Sequence, residues 1–392
     1  MTARIRYEQA AHFRARRSGL IAPLPDLATC ARQLLGAQAQ VEAAARWGLA
    51  LRTAGHPEST TVQRALLDDR TIVRAWGQRD TVHIYHPDDW VLIATAQALW
   101  PRSARVGPKA EDHEIADFIA AIERLERTFT RSDVMDLAPG RLVDAFAKTP
   151  INDDPPARMA ATRLIWSAGT LGFLSSTEQR GREQAYAARR WWLPGLAWPE
   201  LTPQAAAIAL TRRYLGTWGP ASVHDVAHYF GANVSMARTW VAALEGELTT
   251  VMLAEPGAEP LPLLALTTDL DDLMAAPPRA DDAWPARLLP AYDTQMMTHA
   301  NKDFVVPDAA LRPRVWGKAS LVNPTVLHRG RFVGTWKHKV RAAAVDLELE
   351  PLGPGHRVPA ATELVDRARF ERHMGVNAAP AKPPRAKKRA SA

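Results

Sequence analysis

Residues 204–253 read QAAAIALTRRYLGTWGPASVHDVAHYFGANVSMARTWVAALEGELTTVML. Ser222 stands where the side-chain cap of a helix VHDVAHYF belongs, Gly231 stops that helix, and Ser235 opens the next, MARTWVAAL. LTTVML, at 248–253, is then read as the strand. Three helices followed by a strand make the rhythm of a winged helix. The rhythm recurs upstream in FTRSDVMDLAPGRLVDAF (129–146), RMAATRLIWSAGTLGFLSS (158–176), the polar tip EQRGREQ (178–184) and AYAARRWW (185–192).

Residues 5–55 give two or three further helices. YEQAAHFRARR sets Tyr7, Ala10, Ala11 and Phe13 near one stripe, and Asp26 is placed to cap LATCARQLLG, which buries Leu27, Cys30 and Leu34. In TIVRAWGQRDTVHIY (71–85), Val82 and Ile84 alternate with Thr81 and His83 as a short strand, and Pro87-Asp88 starts the following helix. Downstream, the proline-rich APPRADDAWP (276–285) leads into a β-rich part. There NPTVLH and RFVGTWKHKV flank His328-Arg329-Gly330-Arg331 as a hairpin with a basic tip, followed by a strand VDLELEPL and a closing helix ATELVDRARFERHM. The expected class is α+β, mainly α. Tandem winged-helix modules span 1–105, 106–200 and 201–275, a β-rich region spans 276–374, and a disordered basic tail spans 375–392.

The 392 residues, 47% hydrophobic and 23% charged, suit a soluble protein of two or three modules. There is no apolar run of membrane-spanning length and no apolar signal core in the charged, helical N-terminus MTARIRYEQAAHFRARR. A single cysteine, Cys30, rules out a disulfide framework. The expected location is the cytoplasm. The formal charge of +7 lies largely in the tail, where Lys382, Arg385, Lys387, Lys388 and Arg389 occur without an acid. Such an arm suits non-specific attraction to phosphates, or simply keeps the chain end soluble.

LLGAQAQ, at 34–40, places two glutamines, Gln38 and Gln40, just after a helix-stopping glycine. On a continuous helix, side chains two residues apart point away from each other, whereas in an extended junction they share a side. The reading here is an extended junction. Other constellations carry less. His224 and His228 have ligand spacing on a helix, but no third ligand is obvious and a HExxH glutamate is absent, so capping or core roles are preferred and no metal or cofactor is expected. Asp88-Asp89, Asp153-Asp154 and Asp271-Asp272 sit at prolines or helix starts, where carboxylates favour the helix anyway. Nucleotide-binding glycine loops and the G-x-S-x-G elbow are missing.

Four stretches remain polar where a core should be apolar: 38–40, 79–83, 288–304 and the hairpin around 328–337. Together they resemble the winged-helix DNA glycosylases of the AlkZ type, related to the YcaQ proteins, over about residues 5–375. The glutamine motif after LLG matches Gln38-Ala39-Gln40, where YcaQ-type relatives carry an aspartate second. W-x-x-R-G-T-x-H matches Trp76, Arg79, Thr81 and His83, with Asp80 replacing the glycine. L-P-x-[FY]-D matches Leu289, Pro290, Tyr292 and Asp293; the His-Ala-Asp-Arg-like stretch matches His299 and Ala300, with Asn301-Lys302 in place of the acid–base pair. P-T-V-L-x-x-G-x-x-x-G-T-W matches 324–336.

The resemblance implies a C-shaped array holding DNA in its concave face and a metal-free excision of cationic alkylated purines, chiefly N7-alkylguanine, in some members with unhooking of interstrand crosslinks. It further implies that Gln38 and Gln40 are catalytic. Arg79, Thr81, His83, Asp293 and His299 are the candidates for orienting them. His328, Arg329, Arg331, Trp336, Lys337 and Arg238 are the candidates for touching DNA. The expected partner is double-stranded DNA with alkylated bases, met by a monomer in the nucleoid. The rival readings are a non-catalytic winged-helix regulator, with Arg238 on a recognition helix, and a protein that binds an adduct without cutting.

Overall fold

The computed structural model describes residues 3–100, 107–255, 259–341, 344–360 and 364–376; the basic tail expected at 375–392 lies almost wholly outside them. The chain is mixed α+β. In chain order its strands are β1 (Ala3–Ile5), β2 (Ala37–Gln38), β3 (Val73–Trp76), β4 (Val82–Tyr85), β5 (Leu174–Arg180), β6 (Glu183–Ala188), β7 (Leu248–Leu253), β8 (Leu261–Leu266), β9 (Arg287–Leu289), β10 (Thr325–His328), β11 (Arg331–Arg341) and β12 (Ala344–Pro351). They form three sheets, ordered β1-β7-β8, β2-β4-β3-β5-β6 and β12-β11-β10-β9.

The punctuation read in the sequence operates as physics requires. Asp26 accepts from the Thr29 amide at 2.7 Å and caps the helix Leu27–Leu34. Ser222 and Asp225 form a reciprocal capping box at the start of Val223–Phe230, and Gly231, at φ 72°, ends it in the left-handed region that favours glycine. Two elements differ from the expectation. The N-terminus opens with a strand, because Ala3–Ile5 pairs in parallel with Val251–Leu253. The short apolar run Leu261–Leu266, unassigned in the sequence, is the antiparallel partner on the other side of β7.

The sheets join segments distant in sequence. β3 and β4 form a hairpin whose β3 edge continues into β5 and β6. Two cores result. One gathers Trp47, Trp90, Tyr214, Trp218, Leu288 and Trp336; the other gathers Phe118, Phe129, Leu142, Phe146 and Leu164 and takes Trp76 from β3. Trp76 stacks on Tyr186 of β6 with ring centroids 5.5 Å apart. No helix among the described residues is long and apolar enough to cross a membrane.

Buried arginines tie the C-terminal sheet to the N-terminal helices. Arg52, fully buried at the end of the helix Glu42–Arg52, donates to both oxygens of Asp293 at 2.7 and 2.8 Å. Arg287 pairs with Asp366 at 2.9 Å, again with both groups buried. Removing one member of such a pair strands a charge in low dielectric. Asp293→Ala therefore lowers the free energy of unfolding by about 3–5 kcal/mol, whereas Arg52→Met with Asp293→Leu recovers most of that loss. Urea denaturation of the single and double variants checks both.

Candidate active site

The chain leaves the helix Leu27–Leu34 through Leu35, at φ 55°, and Gly36, at φ 98°. A Cβ on Gly36 would lie 2.4 Å from the Tyr85 ring, so glycine lets that ring lie across the turn. The carbonyls of the turn are held by side chains. Tyr229 donates its hydroxyl to Leu34 O at 2.8 Å, and Gln78 donates its amide to Leu35 O at 3.1 Å while accepting from the Tyr85 hydroxyl. After the turn the backbone is extended. Ala37 and Gln38 pair with Ile84 and His83 of β4, and the Ala39 amide reaches Val82 O at 2.7 Å. Gln38 and Gln40 consequently project to one side of an edge strand, Gln38 buried and Gln40 exposed.

A directed hydrogen-bond chain then fixes both amides. Arg79 Nη2 donates to Gln38 Oε1 at 2.9 Å, and Gln38 Nε2 donates to Gln40 Oε1 at 2.7 Å. A guanidinium has no acceptor, so the Gln38 oxygen must face it, which turns the Gln38 NH₂ towards Gln40. Arg79 also meets His83 Nε2 at 3.2 Å, while His83 Nδ1 lies 3.0 Å from Thr81 O. Since Arg79 can only donate, His83 carries its proton on Nδ1 and gives it to the carbonyl. Burial, then the Arg79 charge, holds the imidazole well below its usual range, so it is neutral at physiological pH.

Arg79 itself is held from a distant part of the chain. Its Nη1 donates to Tyr229 O at the C-terminal end of the helix Val223–Phe230, where the helix dipole favours a cation. The backbone turns sharply here, with Arg79 at φ 59° and Asp80 at φ 54°. Aspartate tolerates the left-handed region better than most residues, so Asp80 makes this turn at modest conformational cost. Gly231 packs against this turn; a Cβ there would stand 3.0 Å from Arg79 Cα.

Of the remaining expected site residues, Thr81 serves His83 through its carbonyl, and its hydroxyl donates to Gln78 O. Asp293 lines a small cavity together with Gln38 without hydrogen-bonding to either glutamine; its oxygens are taken by Arg52 and the Gln295 amide. His299 sits deeper, 2.7 Å from Thr298 Oγ1, and burial pushes it down to about 3. The turn 328–331 is packed against the body. Arg329 meets Glu8, Asp281 and two carbonyls, Arg331 meets Glu255 and Phe304 O, His328 lies 3.5 Å from Asp281, and a Cβ on Gly330 would collide with Ala11. Trp336 is a core residue, donating to Leu289 O at 2.8 Å. The projecting ribbon is formed instead by the distal parts of β11 and β12, where Lys337, Lys339 and Arg341 alternate along one exposed side. Arg238 is exposed on the helix Val234–Ala242.

Sequence reasoning missed Gln78 and Tyr229, which clamp the turn before the glutamines. Neither carries a local signal: Gln78 falls at a variable place in its motif, and Tyr229 comes from a segment 195 residues away in the sequence. It also missed the surroundings of Lys302. That ammonium is buried, donates to Met296 O and His299 O, and lies 4.8 Å above the Trp316 ring. Burial lowers it to about 8. Asp225 lies nearby and accepts from the Ala300 amide at 2.8 Å. Among the described residues no group of three or more His, Cys, Asp or Glu could hold a metal ion.

The family profile described as DNA glycosylase AlkZ-like matches residues 31–375. The chain belongs to the AlkZ-like DNA glycosylases. An interstrand DNA cross-link repair glycosylase of Streptomyces sahachiroi is 26% identical over 374 residues, covering 91% of this chain and 93% of the relative. The solved structure of Streptomyces sahachiroi DNA glycosylase AlkZ superposes with a TM-score of 0.75 at 22% identity, covering 97% of this chain and 99% of the other. That likeness carries the fold, and the family match makes the chain an enzyme, a DNA glycosylase.

Two outcomes follow for this glycosylase. Arg79→Met frees both amides and, if the glutamines are the reacting groups, is expected to lower kcat for base release about 10²-fold, as misplacement of reacting groups does, with KM changing far less. Arg79→Lys, which keeps the charge without the fork, fails to restore it. Separately, Lys302 releases its proton in the folded protein near pH 8 but in the unfolded chain only near its ordinary value. Between those limits the unfolded state binds more protons, so stability rises with pH. The native protein gains about 3 kcal/mol relative to Lys302→Met across that window and none below it, as chemical denaturation at several pH values will show.

Proposed function

We propose that the protein is a monomeric, monofunctional glycosylase. It hydrolyses the N-glycosidic bond of cationic alkylated purines in double-stranded DNA, of the N7-alkylguanine type, and unhooks interstrand crosslinks built on the same bond. The observation that carries this reading is the glutamine pair. Two neutral amides share one side of an edge strand, their orientation is imposed by Arg79, and among the described residues no carboxylate hydrogen-bonds to either.

A neutral amide is a poor general base, so the site suits a leaving group that needs little help. An N7-alkylated guanine already bears positive charge. When its C1′–N9 bond breaks, the electron pair goes to the ring and the base departs neutral. What remains is to position a water and stabilise an oxocarbenium-like sugar. Gln40 Oε1 accepts one bond from Gln38 and retains a lone pair for a water hydrogen. The water adds to C1′, and its proton passes to solvent, to which Gln40 is open.

The scaffold supports the same reading. The hairpins β3–β4, β5–β6 and β7–β8 each follow helices, as tandem winged-helix modules would, and a C-shaped arrangement of them would present Gln40 to a duplex. The exposed ribbon β11–β12 carries Lys337, Lys339 and Arg341 opposite Asp346, Glu348 and Glu350, so the cations would meet phosphates only by leaving these acids. On this account it takes the place expected of the turn 328–331, and Arg238 supplies a further phosphate contact.

Base release from a duplex containing N7-methylguanine tests the assignment. The native protein should release it, Gln38→Ala/Gln40→Ala should lose release by at least about 10²-fold while retaining DNA affinity, and neutral uracil should be spared by both. Undiminished release by the double variant would sink the proposal.

A further inference from the structure

The turn that leads from β9 to Asp293 is strained at Tyr292. Pro290 O accepts from the Asp293 amide at 3.3 Å, which closes a turn whose third residue, Tyr292, stands at φ 57°. Glycine or asparagine usually fills that place, because a larger side chain crowds the backbone there. Tyr292 is half-buried, and among the described residues its hydroxyl makes no hydrogen bond and its ring no aromatic or cation–π pair. The segments on either side are bolted down. Before the turn, Trp47 Nε1 donates to Leu288 O at 2.9 Å, Trp336 Nε1 donates to Leu289 O at 2.8 Å, and the Leu288 amide donates to buried Asp366. After it, Asp293 is held by Arg52, and the turn rests on Gly48, where a Cβ would stand 3.4 Å from both Asp293 Oδ2 and Pro290 Cγ. Strained backbone persists only where its surroundings over-determine it. Here two indoles and two buried carboxylates do so, and what they hold in place is a tyrosine. A glycine would make the same turn without strain, so the turn alone does not account for the side chain. Its surroundings do. Tyr292 lines, with Gln38, Ala37 and Ala44, the small cavity walled by β2 and the helix Glu42–Arg52. The carboxylates on these elements, Glu42 and Asp293, are both paired with arginines. Beyond Gln40 the chain presents Val41, 47% exposed, and Ala43. A positive charge developing on a sugar beside the glutamines would therefore meet amide oxygens, small apolar groups and one unpaired aromatic ring, whose face attracts cations.

We propose that Tyr292 touches the substrate: on the functional reading above, on which this rests, its ring packs against the deoxyribose of the lesion. As the C1′–N9 electron pair leaves with the base, the face of the ring stabilises the positive charge that the sugar gains. The ring forms no bond and takes no proton; the water held by Gln40 still supplies the oxygen. Because the contact is to the sugar, it is indifferent to the size of the alkyl group and serves a crosslink as well as a methyl adduct.

Duplexes in which the lesion nucleotide is replaced by a pyrrolidine abasic analogue, cationic at neutral pH, or by its neutral tetrahydrofuran counterpart test this without turnover. The native protein should bind the pyrrolidine duplex about tenfold more tightly than the tetrahydrofuran one. Tyr292→Phe, which keeps the ring, should retain that preference within about twofold, and Tyr292→Leu, which keeps bulk without a ring, should lose it. Neither replacement is β-branched, so the backbone strain stays as it is and the urea unfolding midpoint of each should lie near native. Where Tyr292→Leu does not fold, stepwise fluorination of a phenylalanine placed at 292 must lower the preference as the ring face weakens. A preference unchanged by Tyr292→Leu or by fluorination, or one lost equally in Tyr292→Phe, would overturn the proposal. A native protein that releases N7-methylguanine from duplex DNA but shows no preference would remove the ring contact and leave the functional reading intact. Absence of both release and preference would remove that reading as well.

Discussion

A guanidinium can donate hydrogen bonds and cannot accept them, and the arrangement around Arg79 depends on that asymmetry. One nitrogen faces Gln38 and His83, another reaches a helix-end carbonyl of a segment some hundred and fifty residues away. Because every partner must present an acceptor, the amide of Gln38, the tautomer of His83 and, through Gln38, the amide of Gln40 are all determined at once. An amide left to itself exposes oxygen and nitrogen with nearly equal ease. Here a single charged group at the head of the hydrogen-bond chain selects which way each amide is turned.

That selection carries a cost in the fold. Arg79 and Asp80 both occupy the left-handed region, and Arg79 is buried deeply enough for desolvation to lower its affinity for a proton. The surroundings offset this with a helix terminus, the Tyr229 ring and the close fit of Gly231. Arg52 with Asp293 and Arg287 with Asp366 follow the same logic in pure form. In each case a buried cation fixes one remote segment against another, and specificity of placement is gained where an apolar contact would slide.

The local parts of this architecture were legible in the sequence. Asp26, Ser222 and Gly231 act within one turn of where they stand, so residue type alone locates the helix ends, and the glycine after LL made an extended 38–40 readable. What escaped was long-range. Asp293 does line a small cavity with Gln38, but its hydrogen-bond partner, Arg52, was not legible, because a buried ion pair leaves no periodicity to read. The basic turn 328–331 looked like an exposed tip because charge usually faces water; the carboxylates of Glu8, Glu255 and Asp281 and the carbonyls of Pro278, Arg279 and Phe304 instead hold it down. Trp336 looked available for DNA and proved to be core, since its place on β11 falls before the strand leaves the body. β1 was too short to show alternation and β8, LPLLAL, is apolar throughout; each pairs with one edge of β7.

The pairing of β1 with β7 is parallel and joins nearly the first residues of the chain to Val251–Leu253. A ribosome delivers the chain from its N-terminus, so Ala3–Ile5 must wait, unpaired, until well over half of the protein has emerged. The helix Tyr7–Arg17 waits with it, because Arg14 donates to the carbonyls of Trp218, Gly219 and Pro220. The N-terminus is therefore synthesised first and settled late, and the unit that carries the glutamines is completed by residues made long after it. A nascent chain of this protein stalled before β7 would expose a strand with nothing to bind, and one stalled before Tyr229 would also leave the turn ahead of the glutamines without its clamp.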